Sequence, residues 1–317
     1  MEAPDIPGLH HITIISGEPN SNIHFYSRVL GLRLIKKTVN FDDNFTYHLY
    51  YGDRIGSPGT ITTFFPWPDA KPGKNGTGLC KSTAYMIPKN SIDFWVNRLR
   101  QHNITTQPLI YRFGEPVIQF QDHDGVYLDL VGSDSVEQLS NADQVWNTDD
   151  IPVEHAIRAF HSVSLNLESV ESTQDLLLLM GYTYKGKEGN RHRFIGKETE
   201  PGSIIDLVDI SYEPGAMGKG IVHHVAFRCA NDNEQAYWQE TISGAGIPVT
   251  EVRDRQYFKS IYFQEPGGVL FEIATDPPGF TSDEPVEKLG STLKLPSWLE
   301  SRRKEIEAHL PKIKQGL

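Results

Sequence analysis

The sequence predicts an α+β protein in which four βαβββ modules pair into two curved sheets, or half-barrels. Two observations carry that reading. The order strand, helix, three strands recurs four times along 317 residues, and no module is large enough to bury its own sheet face. Composition agrees, with 38% hydrophobic and 22% charged positions, which excludes disordered, collagen-like and coiled-coil classes.

Module 1 opens with the strand Gly8-Leu9-His10-His11-Ile12-Thr13-Ile14. A helix follows from Ser21, with Ile23, Phe25, Tyr26, Val29 and Leu30 at helical spacing and Gly31 as its stop. Strands are expected at Leu32–Asn40, Thr46–Tyr51 and Thr60–Phe65, separated by Asp, Asn, Gly and Pro turns. Module 2 has a strand at Lys81–Ile87, a helix at Ser91–Gln101 and a last strand at Gly125–Leu130. Module 3 opens at Phe160–Leu165 and closes near Gly202–Leu207. Module 4 opens at Val222–Phe227, has a helix around Glu234–Ala245 and ends in Glu265-Pro266-Gly267-Gly268-Val269-Leu270-Phe271-Glu272-Ile273. The domains expected are residues 1–135 (modules 1 and 2), residues 155–280 (modules 3 and 4) and a C-terminal extension over 281–317. The polar stretch Ser133–Glu154 reads as the linker, and residues 296–312 as a terminal helix with Trp298, Leu299, Ile306 and Leu310 on its apolar face. That helix either caps the monomer or mediates a homo-oligomer.

Charge and cysteine usage bound the partners. A net charge of −11 argues against nucleic acid and anionic membrane surfaces, and there is no apolar run of transmembrane length. The two distant cysteines, Cys80 and Cys229, suggest a reducing compartment, and the acidic N-terminus lacks the features of a secretory signal. A cytoplasmic location is expected.

The repeat shows which residues occupy equivalent positions. The middles of the four first strands hold His11, about Ala84, Ser162 and His224, and the last strands hold Phe64, Asp129, Leu207 and Glu272. If modules 1 and 4 pair, His11, His224 and Glu272 meet in one cavity. Two imidazoles and one carboxylate are the ligands expected of a non-haem Fe(II) centre with open positions; the same set also serves Mn(II). Phe64 at the fourth position leaves that side open. Asp129 has no histidine beside it, so a second metal is not expected. His48, His123 and His161 read as structural. Phe64, Phe65 and Trp67 either wall an aromatic pocket or belong to the core. The glycine-rich KPGKNGTG at 71–78 lacks the ending and context of a phosphate loop.

These motifs resemble the vicinal oxygen chelate superfamily, and within it the hydroquinone-type ring-cleaving dioxygenases. The resemblance spans roughly residues 6–280. It rests on LHHIT at 9–13, YHLYYGD at 47–53 with GSPGT at 56–60, HHVAF at 223–227 and YFQEPGGVLFEIATDPPGF at 262–280. It implies the vicinal oxygen chelate fold, His11, His224 and Glu272 as metal ligands, and His10 and His223 around them. Thr13, Arg255 and Tyr262 match positions lining the family's substrate pocket, although Arg253 lies close enough to compete with Arg255. The implied activity is extradiol-type opening of a hydroquinone or catechol-like ring, with a small aromatic diol and O₂ as partners. His10 either transfers a proton or, by strand alternation, points away from the metal. Two other readings stay open: a glyoxalase-like isomerase or thiol transferase, and a non-catalytic protein that binds an aromatic or quinone-like compound.

Overall fold

In the computed structural model, which describes residues 4–139 and 141–314, each module folds in the expected order. Module 1 comprises β1 (Leu9–Ser16), α1 (Pro19–Ile23), β2 (Arg33–Val39), β3 (Tyr47–Gly52) and β4 (Ile61–Pro66). Helix α1 runs on into a π-helical turn, His24–Val29, and Gly31 then reverses the chain at φ +71°, where a Cβ would lie 2.5 Å from Ile151 Cδ1. Module 2 comprises β5 (Leu79–Pro88), α2 (Ile92–Gln101), β6 (Ile110–Arg112), β7 (Glu115–Gln121) and β8 (Tyr127–Ser133). The linker holds the single turn α3 (Val136–Leu139). Module 3 comprises β9 (Ala159–Leu167), α4 (Glu171–Leu179), β10 (Thr183–Glu188), β11 (Arg191–Ile195) and β12 (Ile204–Asp209). Module 4 comprises β13 (Ile221–Cys229), α5 (Asp232–Gly244), β14 (Arg253–Asp254), β15 (Lys259–Gln264) and β16 (Leu270–Thr275).

The strands form two eight-stranded sheets, each drawing one module from either half of the chain. Modules 1 and 4 build the order β14-β15-β16-β13-β1-β4-β3-β2, and modules 2 and 3 build β10-β11-β12-β9-β5-β8-β7-β6. The seam of the first sheet is the antiparallel pair β1/β13, and that of the second is β5/β9. The two sheets share one apolar core, in which Trp95 of α2 and Trp238 of α5 are buried.

Strand pairing corrects three of the expected equivalences. In module 4, Glu272 lies beside Ala226, two residues after His224. The same step from His11 reaches Thr13, whose neighbour on β4 is Thr63 rather than Phe64. Phe64 faces the core, 4.3 Å from the Tyr26 ring. In module 3 the position belongs to Asp206, not Leu207. In module 2 Ser82, not Ala84, is the counterpart of His11, because Ala84 is the residue beside Asp129. The offsets arise because the turns before these strands differ in length, so counting from a turn does not preserve register.

The C-terminal extension closes one side of the first sheet. Lys36 on β2 is fully buried, 2.6 Å from Asp283 and 2.5 Å from Glu284, with its ammonium 4.9 Å from the centre of the Tyr257 ring. The terminal helix α6 (Arg303–His309) is shorter than expected, and Trp298 lies outside it, half exposed against Phe41. Leu295, Leu299, Ile306 and Leu310 pack on Val39 of the edge strand β2. Ile306→Ala should therefore cost about 2–5 kcal/mol of stability, read as a lowered urea midpoint at unchanged slope. An unchanged midpoint would show that the helix does not contribute to the cooperative unit.

Candidate metal centre and its cavity

Consecutive residues of a regular strand point to opposite faces, so a His-His doublet places only one imidazole on a given side. The seam escapes that rule through two bulges. Leu9 pairs with Phe227 and His11 with Ala226, which leaves His10 as the extra residue of β1. On β13, His224 pairs with Thr13 and Val222 with Ile14, which makes His223 the extra residue. In each doublet the two imidazoles then meet through their Nδ1 atoms, at 2.9 Å for His10 and His11 and 2.8 Å for His223 and His224. One Nδ1 of each pair must donate and the other accept. If His11 and His224 donate, their Nε2 atoms carry free lone pairs.

Those lone pairs converge with Glu272. His11 Nε2 and His224 Nε2 are 3.4 Å apart, and Glu272 Oε2 lies 3.4 Å from the first and 2.9 Å from the second. All three residues are buried. Glu272 Oε1 accepts from Ser260, whereas Oε2 is buried without a well-directed hydrogen bond. Two ligands about 2.1 Å from one ion and at right angles to each other stand about 3 Å apart, so the three donors fit a single divalent ion on one face of its coordination shell. Among the described residues this is the single cluster of three such groups close enough to share an ion.

Electrostatics keep the donors in ligand form. Burial alone would raise the Glu272 carboxyl, but the two imidazoles hold it well below the usual range. Burial lowers His224 and, still further, His10; it brings His223 down to about 4. Burial thus favours the neutral imidazole, the form that can bind a metal.

His11 and His224 line a cavity of about 410 Å³, whereas Glu272 is fully buried and does not line it. Arg255 Nε donates to the Tyr262 hydroxyl at 3.1 Å, and Nη2 reaches Asp42 at 3.1 Å. The Tyr262 ring stands 5.7 Å from that of His224. Both Arg253 and Arg255 line the cavity, but the side chain of Arg255 is 17% exposed and that of Arg253 50%, so Arg255 is the inner residue and Arg253 belongs to the rim. Phe65 and Trp67 also line it, and Phe258 packs 4.9 Å from the His11 ring. His223 lines the cavity; His10 does not, and packs behind the triad against Phe258. Thr13 is fully buried beneath the wall and bonded to Thr63 at 2.8 Å.

Several participants escaped the sequence reading. His48 lines the cavity with Tyr50, contacting Tyr50 Oη and Thr63 Oγ1 at 2.8 Å each. Strand period would have shown it, since 48 and 50 share a face of β3. Ser260 and Asp42 had no motif to mark them. His161 instead contacts Glu115 at 2.9 Å, and His123 lies 3.3 Å from Asp124. At the corresponding place in the second sheet, Ser82 and Ser162 replace the ligand histidines. There Asp129 is held by Arg112 at 2.7 Å, and Asp206 by Arg193 at 2.9 Å and Arg191 at 3.0 Å.

Comparison with known proteins matches residues 8–130 and 155–273 to the family described as "Glyoxalase/Bleomycin resistance protein/Dioxygenase superfamily". The chain is 45% identical to "Putative ring-cleaving dioxygenase MhqO" of Bacillus subtilis, over 96% of this chain and 95% of that protein. It is 35% identical to "Chlorohydroquinone/hydroquinone 1,2-dioxygenase" of Sphingobium indicum, over 96% and 97%. A crystal structure of a "putative dioxygenase" from Bacillus subtilis superposes with a TM-score of 0.94 at 43% identity, covering 98% of this chain and 99% of that one. Glyoxalase I from Zea mays, at 14% identity over 85% of this chain and 92% of that one, shares the fold with a TM-score of 0.60.

His224→Ala and Glu272→Ala should each abolish stoichiometric Fe(II) or Mn(II) binding in anaerobic titration calorimetry. Ser260→Ala, which frees Glu272 Oε1, should weaken binding about 10–100-fold while leaving one site per chain. Full-strength binding by the Glu272 variant would remove the carboxylate from the ligand set.

Proposed function

Starting from a chain that belongs to the glyoxalase/bleomycin resistance protein/dioxygenase superfamily, we propose that it is an Fe(II)-dependent, extradiol-type dioxygenase that opens a hydroquinone or catechol-like ring. The observation that carries this reading is the one-sided His11–His224–Glu272 triad, with its unbonded carboxylate oxygen, whose two imidazoles line an aromatic-walled cavity. The names of the relatives, one of which specifies hydroquinone, point the same way. A bound Fe(II), or Mn(II) in the same ligands, would supply adjacent open positions for a phenolate oxygen and O₂ and relieve the spin restriction on their reaction. Both oxygen atoms would enter the ring-opened product.

The protein's own groups bind and orient the ring. Phe65, Trp67 and Phe258 offer apolar surface to an aromatic substrate and exclude water from the triad. Arg255 donates to the Tyr262 oxygen, which leaves the Tyr262 hydrogen free to donate to a substrate or oxygen atom. Burial and the nearby Glu272 carboxylate raise the Tyr262 hydroxyl above its ordinary value, so it remains a donor at neutral pH. The fixed charge of Arg255 stabilises negative charge developing beside it. His223 commits Nδ1 to His224, and its Nε2 is the nitrogen available for holding or passing a proton in the cavity. Isomerase and transferase sites of this fold commonly supply a second carboxylate; here Thr63 occupies that position, which favours the dioxygenase.

The test is anaerobic loading with Fe(II) followed by oxygen-electrode recording on hydroquinone, methylhydroquinone and chlorohydroquinone. Stoichiometric O₂ uptake with a new ring-opened chromophore is expected, and Glu272→Ala should abolish it. Metal binding without O₂ uptake on any hydroquinone or catechol would overturn the assignment. Arg255→Met should keep the metal but lower kcat/KM about 100-fold, the loss typical of removing one donor from developing charge.

A further inference from the structure

The wall that faces the cavity from module 1 repeats the arrangement by which module 4 holds its carboxylate. Tyr262 is paired across strands with Glu272, and Tyr50 with Thr63, the counterpart of Glu272. Two residues earlier on the same faces lie Ser260 and His48. Ser260 bonds to Glu272, and His48 Nε2 contacts Thr63 Oγ1 at 2.8 Å. Module 1 then extends the contact in both directions, from His48 Nδ1 to Tyr50 Oη at 2.8 Å and from Thr63 Oγ1 to Thr13 Oγ1 at 2.8 Å. Four polar groups from three adjacent strands thus form one chain. Its Tyr50 end is on the cavity, and its Thr13 end stands beside His224 across the seam.

Counting hydrogens shows what such a chain can do. With His48 neutral, the form that its burial favours, each group carries one hydrogen. The three contacts use three of the four. The remaining hydrogen rests on Tyr50, Thr63 or Thr13: with it on Tyr50 the His48 Nδ1–H donates to Tyr50, and otherwise Tyr50 donates to His48. Tyr50 can therefore meet a ligand oxygen as donor or as acceptor, with no bond of the chain lost.

We propose that His48 is a positioning residue: joined to Thr63 and Tyr50, it holds the Tyr50 hydroxyl as a reversible hydrogen-bond partner for a ring hydroxyl of the aromatic diol. The proposal rests on the aromatic-diol reading of the site. His48 itself has both nitrogens engaged and acts through Tyr50.

The experiment is anaerobic calorimetric titration of the Fe(II)-loaded protein with methylhydroquinone, together with steady-state O₂ uptake, for wild type, His48→Phe, Thr63→Val and Thr63→Ser. Metal stoichiometry should stay at one in all four. His48→Phe and Thr63→Val should weaken methylhydroquinone binding roughly 5–10-fold, about the worth of one hydrogen bond, and raise KM more than they lower kcat. Thr63→Ser, which restores the hydroxyl, should recover most of the affinity. Unchanged affinity in both His48→Phe and Thr63→Val would overturn the proposal, as would a Thr63→Ser variant as weak as Thr63→Val, since shape rather than hydrogen bonding would then be responsible. A wild-type protein that neither binds nor oxidises any hydroquinone would instead overturn the diol reading, and this inference with it.

Discussion

Everything at the centre of this molecule depends on the antiparallel seam between β1 and β13, and on the two bulges that interrupt it. Two adjacent histidines can address one cavity only where the strand gains a residue relative to its partner. Because each strand of the seam carries such a residue, the two imidazoles of each doublet meet through their Nδ1 atoms. The imidazoles of His11 and His224 each have a neighbouring imidazole to fix tautomer and ring orientation, a role that in metal sites is usually given to a carboxylate or a backbone carbonyl. Removing the extra residue from either strand would do more than displace one side chain. It would shift the register of the seam and turn the rest of that strand's inner face outward.

The second sheet shows what the same architecture becomes without the ligands. Bulges recur in the β5/β9 seam, at Lys81 and at His161. Serines stand where the ligand histidines would be, and two aspartates occupy the carboxylate positions. Three guanidinium groups pair with those aspartates, and Arg193 also reaches Glu115 at 3.6 Å, so three cations meet three carboxylates within the protein. Burial would raise Asp206, but Arg193 and Arg191 hold it below its ordinary value. One half-barrel therefore keeps an unbonded carboxylate oxygen facing two imidazoles, while its counterpart bonds its aspartates internally. The asymmetry between binding and scaffold halves resides in a few side chains on a common backbone.

Much of this was legible in the sequence, because the repeat is written in features with direct physical meaning. Gly31 ends a helix, His-His doublets open two strands, and the EPGG turn fixes the approach to Glu272. The order of elements, the pairing of modules 1 and 4, and the convergence of His11, His224 and Glu272 follow from these. The positions that failed depend on register. Thr63 was read as Phe64 and Asp206 as Leu207, because loop lengths differ among modules while strand pairing does not. His48 was passed over because a lone histidine in a strand is usually structural, and its partners come from three strands that only pairing brings together. The terminal helix was overextended because its apolar residues serve a loop packed on β2 as well as the short α6.

The two strands of the seam lie far apart along the chain, β1 in module 1 and β13 in module 4. While the protein is being synthesised, β1 can pair early with β4 on one side, but its other edge stays bare until β13 has left the ribosome. A bare, apolar strand edge invites pairing with the wrong chain, so the growing polypeptide is most prone to association during that interval. The same delay keeps the three donors of the candidate metal site apart on the nascent chain. His11 is made first and Glu272 nearly last, so an interrupted translation product holds at most part of the ligand set. Such a fragment cannot present all three donors to one ion, and the site comes into being only when the fold that buries it is almost complete.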